Sequence, residues 1–480
     1  RDVAPSRGLG DVYKRQFNME LMRKFTVLGI IACGLINLYS CTTQESFEEA
    51  TDSSFLNLSQ EEYISIAFEH PKEITEDQAI TLVKDFSGKQ ATRSISQSPI
   101  IEKKYYIGGI SSKSVEDTVS SIPIYQLKLS EKEGFALVAG DERFATVIAF
   151  AEKGNLADTT QNKSVALMVR EAENAIKSKL RYYNAIRDSL HDKTLCKLKT
   201  AFHTNDITYH DVKEKIKVVQ TPLTRGQWIP EPTMGILVKE VKPMLRTEWG
   251  QNRPYNNELG YINNDIPKVV GCVGTAIAQI VAHYEAMSSV YGHTLDWNLI
   301  KERAGIDALT DDDIQHQVAL LCKHVAYGIK TEWNMDGTGG ASMTNSHKYL
   351  ETMGVTFNLG KRNKGYDMDA AIIIASLDRG CPVLITGDEE PSETRSSGNK
   401  KGGHCWILDG YQVRTRSTPT KLKAMIKSHD VYVHANFGWK GYASGYYMVD
   451  RNETSLSFDT RPVEGNYNQR LRLFPMVKRK

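Results

Sequence analysis

Apolar residues along this chain fall into two rhythms, and the stretches that carry each rhythm predict its main elements. Between Glu76 and Phe86, the residues Ala79, Ile80, Leu82, Val83 and Phe86 recur on one helical face. Ser164 to Arg187 repeats that spacing over a longer run, with Leu167, Met168, Ala172, Ala175, Ile176 and Leu180 on its apolar side,. Ile122 to Leu129 alternates apolar and polar residues as a strand does, and Gly134–Asp141 and Phe144–Ala151 read as two apolar strands around a turn,. A small α+β unit is expected here, with the long helix packed on its sheet. Further on, Val270 to Tyr284 is apolar nearly all round, with small residues at 274, 276, 278 and 282, so its helix must be buried,. Gly402–Gly410, Val431–Asn436 and Gly445–Asp450 follow as three consecutive strands, which suggests an antiparallel sheet or barrel.

Two regions lack these rhythms. From His203 to Glu240 the periodicity weakens and Pro222, Gly226, Pro230 and Pro232 fall close together, which marks 203–240 as a linker where a precursor would be cut,. An ordinary interdomain connection has the same composition. Near the start, Arg23 and Lys24 precede an apolar run from Phe25 to Leu38, the charge and core pattern of a secretory signal,. At about fourteen residues the run is too short to span a bilayer. Leu38-Tyr39-Ser40-Cys41 resembles a bacterial lipobox, in which the cysteine is lipidated and becomes the new amino terminus. The expected division is therefore 1–21 as a misassigned start, 22–41 as a lipoprotein signal, 42–57 as a tether, 58–202 as a propeptide, 203–240 as a processing linker and 241–480 as the catalytic domain.

Sixty basic residues against fifty-eight acidic ones leave a net charge of +2, too little to gather nucleic acid or an anionic membrane,. The seven cysteines include no C-x-x-C pair, which removes the zinc-finger and disulfide-scaffold readings,. Cys272 sits at the first turn of the buried helix, where unpaired backbone N–H groups and the positive helix end favour a thiolate,. His404 lies about 130 residues further on, behind Gly402 and Gly403, at a spacing found in papain-type enzymes,. A helix presenting a cysteine beside a β lobe presenting a histidine is the arrangement that a thiolate–imidazolium pair requires. Asn436 offers a side-chain oxygen to orient the imidazole, and Trp439 a ring to shield that bond from water,. His283, His324 and His434 sit amid apolar residues without paired glycines and read as packing or surface groups.

Five blocks in order resemble the streptopain-like cysteine peptidases, a papain-related family: Trp249–Asn256, Gly271–Ile280, Trp333–Ser342, Gly402–Gly410 and His434–Gly441. Residues 75–160 resemble that family's propeptide more weakly. The resemblance implies Cys272 as nucleophile, His404 as acid and base, and Gln251 as an oxyanion-hole donor alongside the Cys272 N–H,. It further implies that the glycine-rich loop Asp336–Ser342 lines the cleft, with Thr338 and Gly403 touching substrate backbone. Phe437 stands where the family often has Trp, and residues 388–401 form a longer polar segment before the histidine, both of which bear on specificity.

The fold expected is α+β: a papain-like two-lobed domain, with a helical lobe carrying the nucleophile helix and an antiparallel β-barrel lobe, preceded by a small α+β propeptide domain. The expected function is a secreted cysteine endopeptidase made as an inactive precursor, acting on protein or peptide substrates through an acyl-enzyme, with its own propeptide as partner in cis. No metal or organic cofactor is required, no nucleic acid is bound, and the membrane is met only through lipidated Cys41. An amidase acting on cell-wall amides and a non-catalytic surface adhesin are the alternatives on the same scaffold.

Overall fold

Both helices that open the N-terminal unit start on capping boxes. Ser59 and Glu62 exchange bonds at the start of α1 (Gln60–Ala67), and Thr75 and Gln78 do so at the start of α2 (Glu76–Ser87),. The expected face of α2 is buried at Ala79, Leu82, Val83 and Phe86. A computed structural model of the chain describes residues 55–68, 71–88, 98–108, 121–130, 134–156, 163–212, 215–218, 234–305, 312–388, 403–419, 425–450 and 471–477. The signal, Cys41 and most of the tether lie outside these residues, as does the polar segment beyond Asp388.

In the N-terminal unit, β1 (Leu56–Leu58) is followed by four antiparallel strands: β2 (Ile100–Ile107), β3 (Ile122–Lys128), β4 (Phe135–Ala139) and β5 (Thr146–Ala151). Helix α3 (Lys163–Phe202) crosses them with Val165, Leu167, Met168, Ala172, Ala175, Ile176 and Leu180 buried, as the spacing predicts. It runs about 60 Å, beyond the expected end at Arg187, because Tyr183 and Ile186 pack with Ile64 of α1, and Leu198 joins Leu58, Ile66 and Tyr209 in a separate small core.

The linker reading of 203–240 is corrected in part. It contains a helical turn at Tyr209–Val212, strand β6 (Ile216–Val218) paired parallel with β1, and strand β7 (Ile236–Val241). The turn and β6 bury Tyr209, Val212 and Ile216, and β6 and β7 are held by backbone ladders to distant strands, so the region leaves little apolar period in the sequence,. Residues 219–233 lie outside the described residues.

The C-terminal strands are β8 (Val383–Asp388), β9 (Gly403–Pro419), β10 (Met425–Asn436), β11 (Gly445–Val449) and β12 (Arg472–Val477). The hydrogen-bonded order is β12-β8-β9-β10-β11, and it continues without a break into β5-β4-β3-β2. Strand β7 pairs with β9 over 411–415. The join is a three-residue ladder, Gly445 to Ala151, Tyr446 to Phe150 and Tyr447 to Ala149. Gly445 is required there, because a Cβ would stand 2.1 Å from the Phe150 carbonyl oxygen.

One apolar core runs across this junction. Phe86 meets Phe150 and Tyr432 at 5.2 Å between ring centres, and the buried Arg414 guanidinium lies 4.9 Å from the Phe86 ring,. Lys179 of α3 donates to the buried Asp430 carboxylate at 2.5 Å. A second core fills the other face of the C-terminal strands. It is built from the nucleophile helix α4 (Cys272–Tyr284), α5 (Asp313–Gly328) and α6 (Met343–Glu351). Strand β9 lies between the cores, with Trp406 and Leu408 in the first, and Cys405 and Ile407 in the second.

Where α3 meets the end of β11, burial and then the negative charge of Asp450 push the Glu171 carboxyl up to about 7,. A raised folded-state value means that the packed form is favoured while Glu171 is protonated, and loses stability as pH rises from 4.5 to about 7,. The full shift corresponds to about 3 kcal/mol. Glu171→Gln is expected to flatten the dependence: in urea denaturation at about pH 5 and about pH 8, the wild-type chain loses stability between the two and the variant does not.

Candidate active site

Gly271 starts helix α4 with φ 79° and ψ 155°, a conformation that disfavours any side chain, and a Cβ there would stand 2.6 Å from the Gly339 carbonyl oxygen,. No side chain caps this helix end, so first-turn N–H groups stay close to Cys272,. The Cys272 sulfur lies 4.0 Å from the Gly403 carbonyl oxygen. Burial pushes the Cys272 thiol up, against the pull of the Cys405, Val273 and Cys272 N–H groups,. The thiolate expected from helix position alone is therefore not favoured in this arrangement: desolvation outweighs the helix end.

Two other expected site segments are fastened to the start of α4. Val270 N–H donates to Gln251 O at 3.0 Å and Thr275 Oγ1 to Gly250 O at 3.4 Å, which fixes Gln251 beside the nucleophile turn. The glycine-rich loop is held through Val269 N–H to Gly337 O at 3.0 Å and Trp333 Nε1 to Val269 O at 2.9 Å. Within it, Thr338 is exposed, and its hydroxyl and N–H both bond Asp336 Oδ1, at 2.6 and 3.0 Å. That is an Asx turn, so the Thr338 hydroxyl is engaged inside the loop.

The ladder sets the face from which His404 leaves its strand. It pairs across the ladder with Gly387, whose missing Cβ would point at Leu167, Leu471 and Trp406. Paired residues share a face and successive residues alternate, so the His404 side chain leaves β9 on the Trp406 face. Cys405 and Ile407 take the opposite face, toward Cys272 and α4. The structure thus brings Gly403 and the backbone of Cys405 to the sulfur, with His404 between them on the strand.

Asn436 is committed elsewhere. Its amide oxygen accepts from Gln279 Nε2 at 3.3 Å and Gly438 N–H at 3.1 Å, while its nitrogen donates to Thr247 O at 2.8 Å. Both lone pairs of that oxygen are in use, so in this arrangement it does not orient His404. Trp439 is half-buried and packs against the first core, and Phe437 is buried 6.0 Å from Trp406. Among the remaining histidines, His434 Nδ1 bonds buried Asp409 at 2.6 Å, His324 Nδ1 bonds the Tyr349 hydroxyl at 2.8 Å, and burial lowers His283. They serve packing, as their apolar surroundings suggest.

Comparison with known families decides the assignment. Residues 249–447 match the Peptidase C10 family, and residues 71–176 match the Spi protease inhibitor family. The C-terminal region thus carries a Peptidase C10 family match and the N-terminal region a Spi protease inhibitor match. The chain is 21% identical over 363 residues to the thiol protease/hemagglutinin PrtT of Porphyromonas gingivalis, covering 70% of this chain and 35% of that protein. The chain thus spans about a third of the length of that curated relative. Among solved structures, a Prevotella intermedia prointerpain A fragment matches at 16% identity and TM-score 0.41, covering 78% of this chain and 99% of that one. The active interpain A cysteine protease of the same organism matches at 20% identity and TM-score 0.33, covering 51% and 96%.

In the C10 domain the residue missed by sequence reasoning is Gln279. Fully buried on α4 two turns after Cys272, it accepts from Thr247 Oγ1 at 3.0 Å and Trp249 N–H at 3.2 Å, and pairs its amide with that of Asn436. It ties the Gln251 segment, the nucleophile helix and the end of β10 into one unit. The available signal was a single long polar side chain in an otherwise apolar buried helix, which needs partners. Gln279→Leu is expected to destabilise the chain by about 2–4 kcal/mol, because Asn436 and the Trp249 N–H lose their buried partner. Equilibrium urea unfolding of the two proteins checks this.

Proposed function

We propose that the chain is the latent precursor of a secreted cysteine endopeptidase that cleaves proteins through an acyl-enzyme. The carrying observation is the meeting of Cys272, at the open end of a buried helix, with the backbone on either side of His404. His404 lies between Gly403 and Cys405, at the second position of β9. In the active form, His404 takes the Cys272 proton, and the thiolate attacks the scissile carbonyl. Gln251 and the Cys272 N–H then face the developing oxyanion, and His404 gives its proton to the leaving amine and later activates water.

The Spi-family region supports an inhibitory role in cis, as its strands extend the C10 sheet and Leu167 packs over Gly387, opposite His404. Cutting within 219–233, between β6 and β7, would free it while leaving β7 in the C10 sheet. The charge pattern before Cys41 supports export and lipid anchoring at the cell envelope,.

Cys272→Ala and His404→Ala are each expected to lower casein cleavage by about a thousandfold or more. Mass spectrometry of the wild-type protein should show a new amino terminus within 219–233 that the Cys272→Ala protein lacks. Casein cleavage by purified Cys272→Ala protein at the wild-type rate would end this reading. For the anchor, palmitate labelling in a lipoprotein-processing bacterial host is expected in the wild-type chain and lost in Cys41→Ala; equal labelling of both refutes lipidation at Cys41.

A further inference from the structure

Cys405 follows His404 directly, and its side chain turns to the face opposite Trp406, into the core where α4 packs. Cys272 packs against that same core, with its sulfur 4.0 Å from the Gly403 carbonyl oxygen, two residues before Cys405. The Cys405 N–H acts directly on that sulfur. The two thiols differ in access, since Cys272 is partly exposed and Cys405 is 1% exposed. Both are free cysteines, and neither Cys322 nor Cys381, the other buried ones described, lies on β9.

We propose that Cys405 is a resolving cysteine for Cys272, closing a reversible intramolecular disulfide when a peroxide oxidises the exposed thiol. This adds a modification site to the reading of Cys272 as nucleophile, but its chemistry needs only the two sulfurs. In the first step Cys272–SH reacts with hydrogen peroxide: a sulfur–oxygen bond forms, the peroxide O–O bond breaks, and Cys272 sulfenic acid and water result. In the second, the Cys405 sulfur attacks the sulfenic sulfur, the S–O bond breaks, and hydroxide leaves with the Cys405 proton as water. Two equivalents of an external thiol return both cysteines to SH and leave as their own disulfide.

The order follows from the burial. Peroxide reaches Cys272 first, while Cys405 is held as an unreactive thiol by burial,. Contact between the two segments compensates for that low reactivity, because the resolving step is intramolecular. Closure requires rotation of both side chains to a sulfur–sulfur bond of about 2.05 Å. Capture of the sulfenic acid prevents the further, irreversible steps to sulfinic and sulfonic acid.

The test uses the full-length precursor, treated with excess hydrogen peroxide at about pH 8, where more thiolate is present, then blocked with N-ethylmaleimide and digested without reductant. The expected product is a peptide containing Cys272 linked to one containing Cys405, separated by dithiothreitol. In Cys405→Ser, Cys272 should instead reach sulfinic and sulfonic acid, and the thiol recovered with dithiothreitol should fall roughly fivefold or more. The proposal is overturned if Cys272 links to another cysteine or to a second chain, or if wild-type Cys272 over-oxidises as fully as in Cys405→Ser. The linked peptide in wild-type protein decides the matter even if the variant fails to fold. A precursor that forms this disulfide but never cleaves casein would refute the peptidase reading and leave this one standing.

Discussion

The ladder between β5 and β11 is the constraint from which the rest of this structure follows. Strand β11 has β10 on one side, and on its other edge the backbone groups of residues 445–447 bond to residues 149–151 of the Spi-family region. Without β5 that edge would present unpaired N–H and C=O groups, a standing template for association. The N-terminal region is therefore an extension of the C10 sheet and shares its core, rather than a lid resting on it. Phe86, Phe150, Tyr432 and Arg414 interlock over the join, and Lys179 supplies the charge that buried Asp430 needs,. The two regions cannot part without exposing apolar surface and an open strand edge together.

That arrangement bears on the reaction centre through a single strand. Along β9 each step of one residue changes the face, so Cys405 meets the nucleophile helix while His404 and Trp406 face the core that α3 covers,. Desolvation favours the neutral thiol, and the upward push on Cys272 is that effect,. The open helix end, the small residues and the glycine loop are all in place around it. The packing of Leu167 against Gly387 lies directly opposite His404 in the strand register.

The supporting frame around Cys272 is by contrast complete. Gly271 touches Gly339, Gln251 is bonded to Val270, and Gln279 joins α4 to both Trp249 and Asn436. These links are short and buried, and they belong to the C10 domain alone, so they have no need to change when the N-terminal region departs. Buried amides pin this frame and hold it rigid,.

Much of this was legible in the residues themselves. The all-round apolar run from Cys272 to Tyr284 could only be a buried helix, the period in Ser164–Arg187 marked the face of α3, and the alternation near Ile122 and Val431 marked strands, because local burial imposes those repeats directly. The glycine before Cys272 and the lone polar Gln279 also carried their meaning locally, though the partners of Gln279 did not. What the order of residues left undetermined were pairings between segments far apart: β7 against β9, β5 against β11, Asn436 with Gln279, and the face from which His404 leaves its strand. Backbone ladders are made by groups that every residue carries, and a strand's face is set by its neighbours' register, so neither leaves a signature in side-chain type. Residue identity determined which groups can do the chemistry, and tertiary pairing alone decided which strand face and which neighbours each of them has.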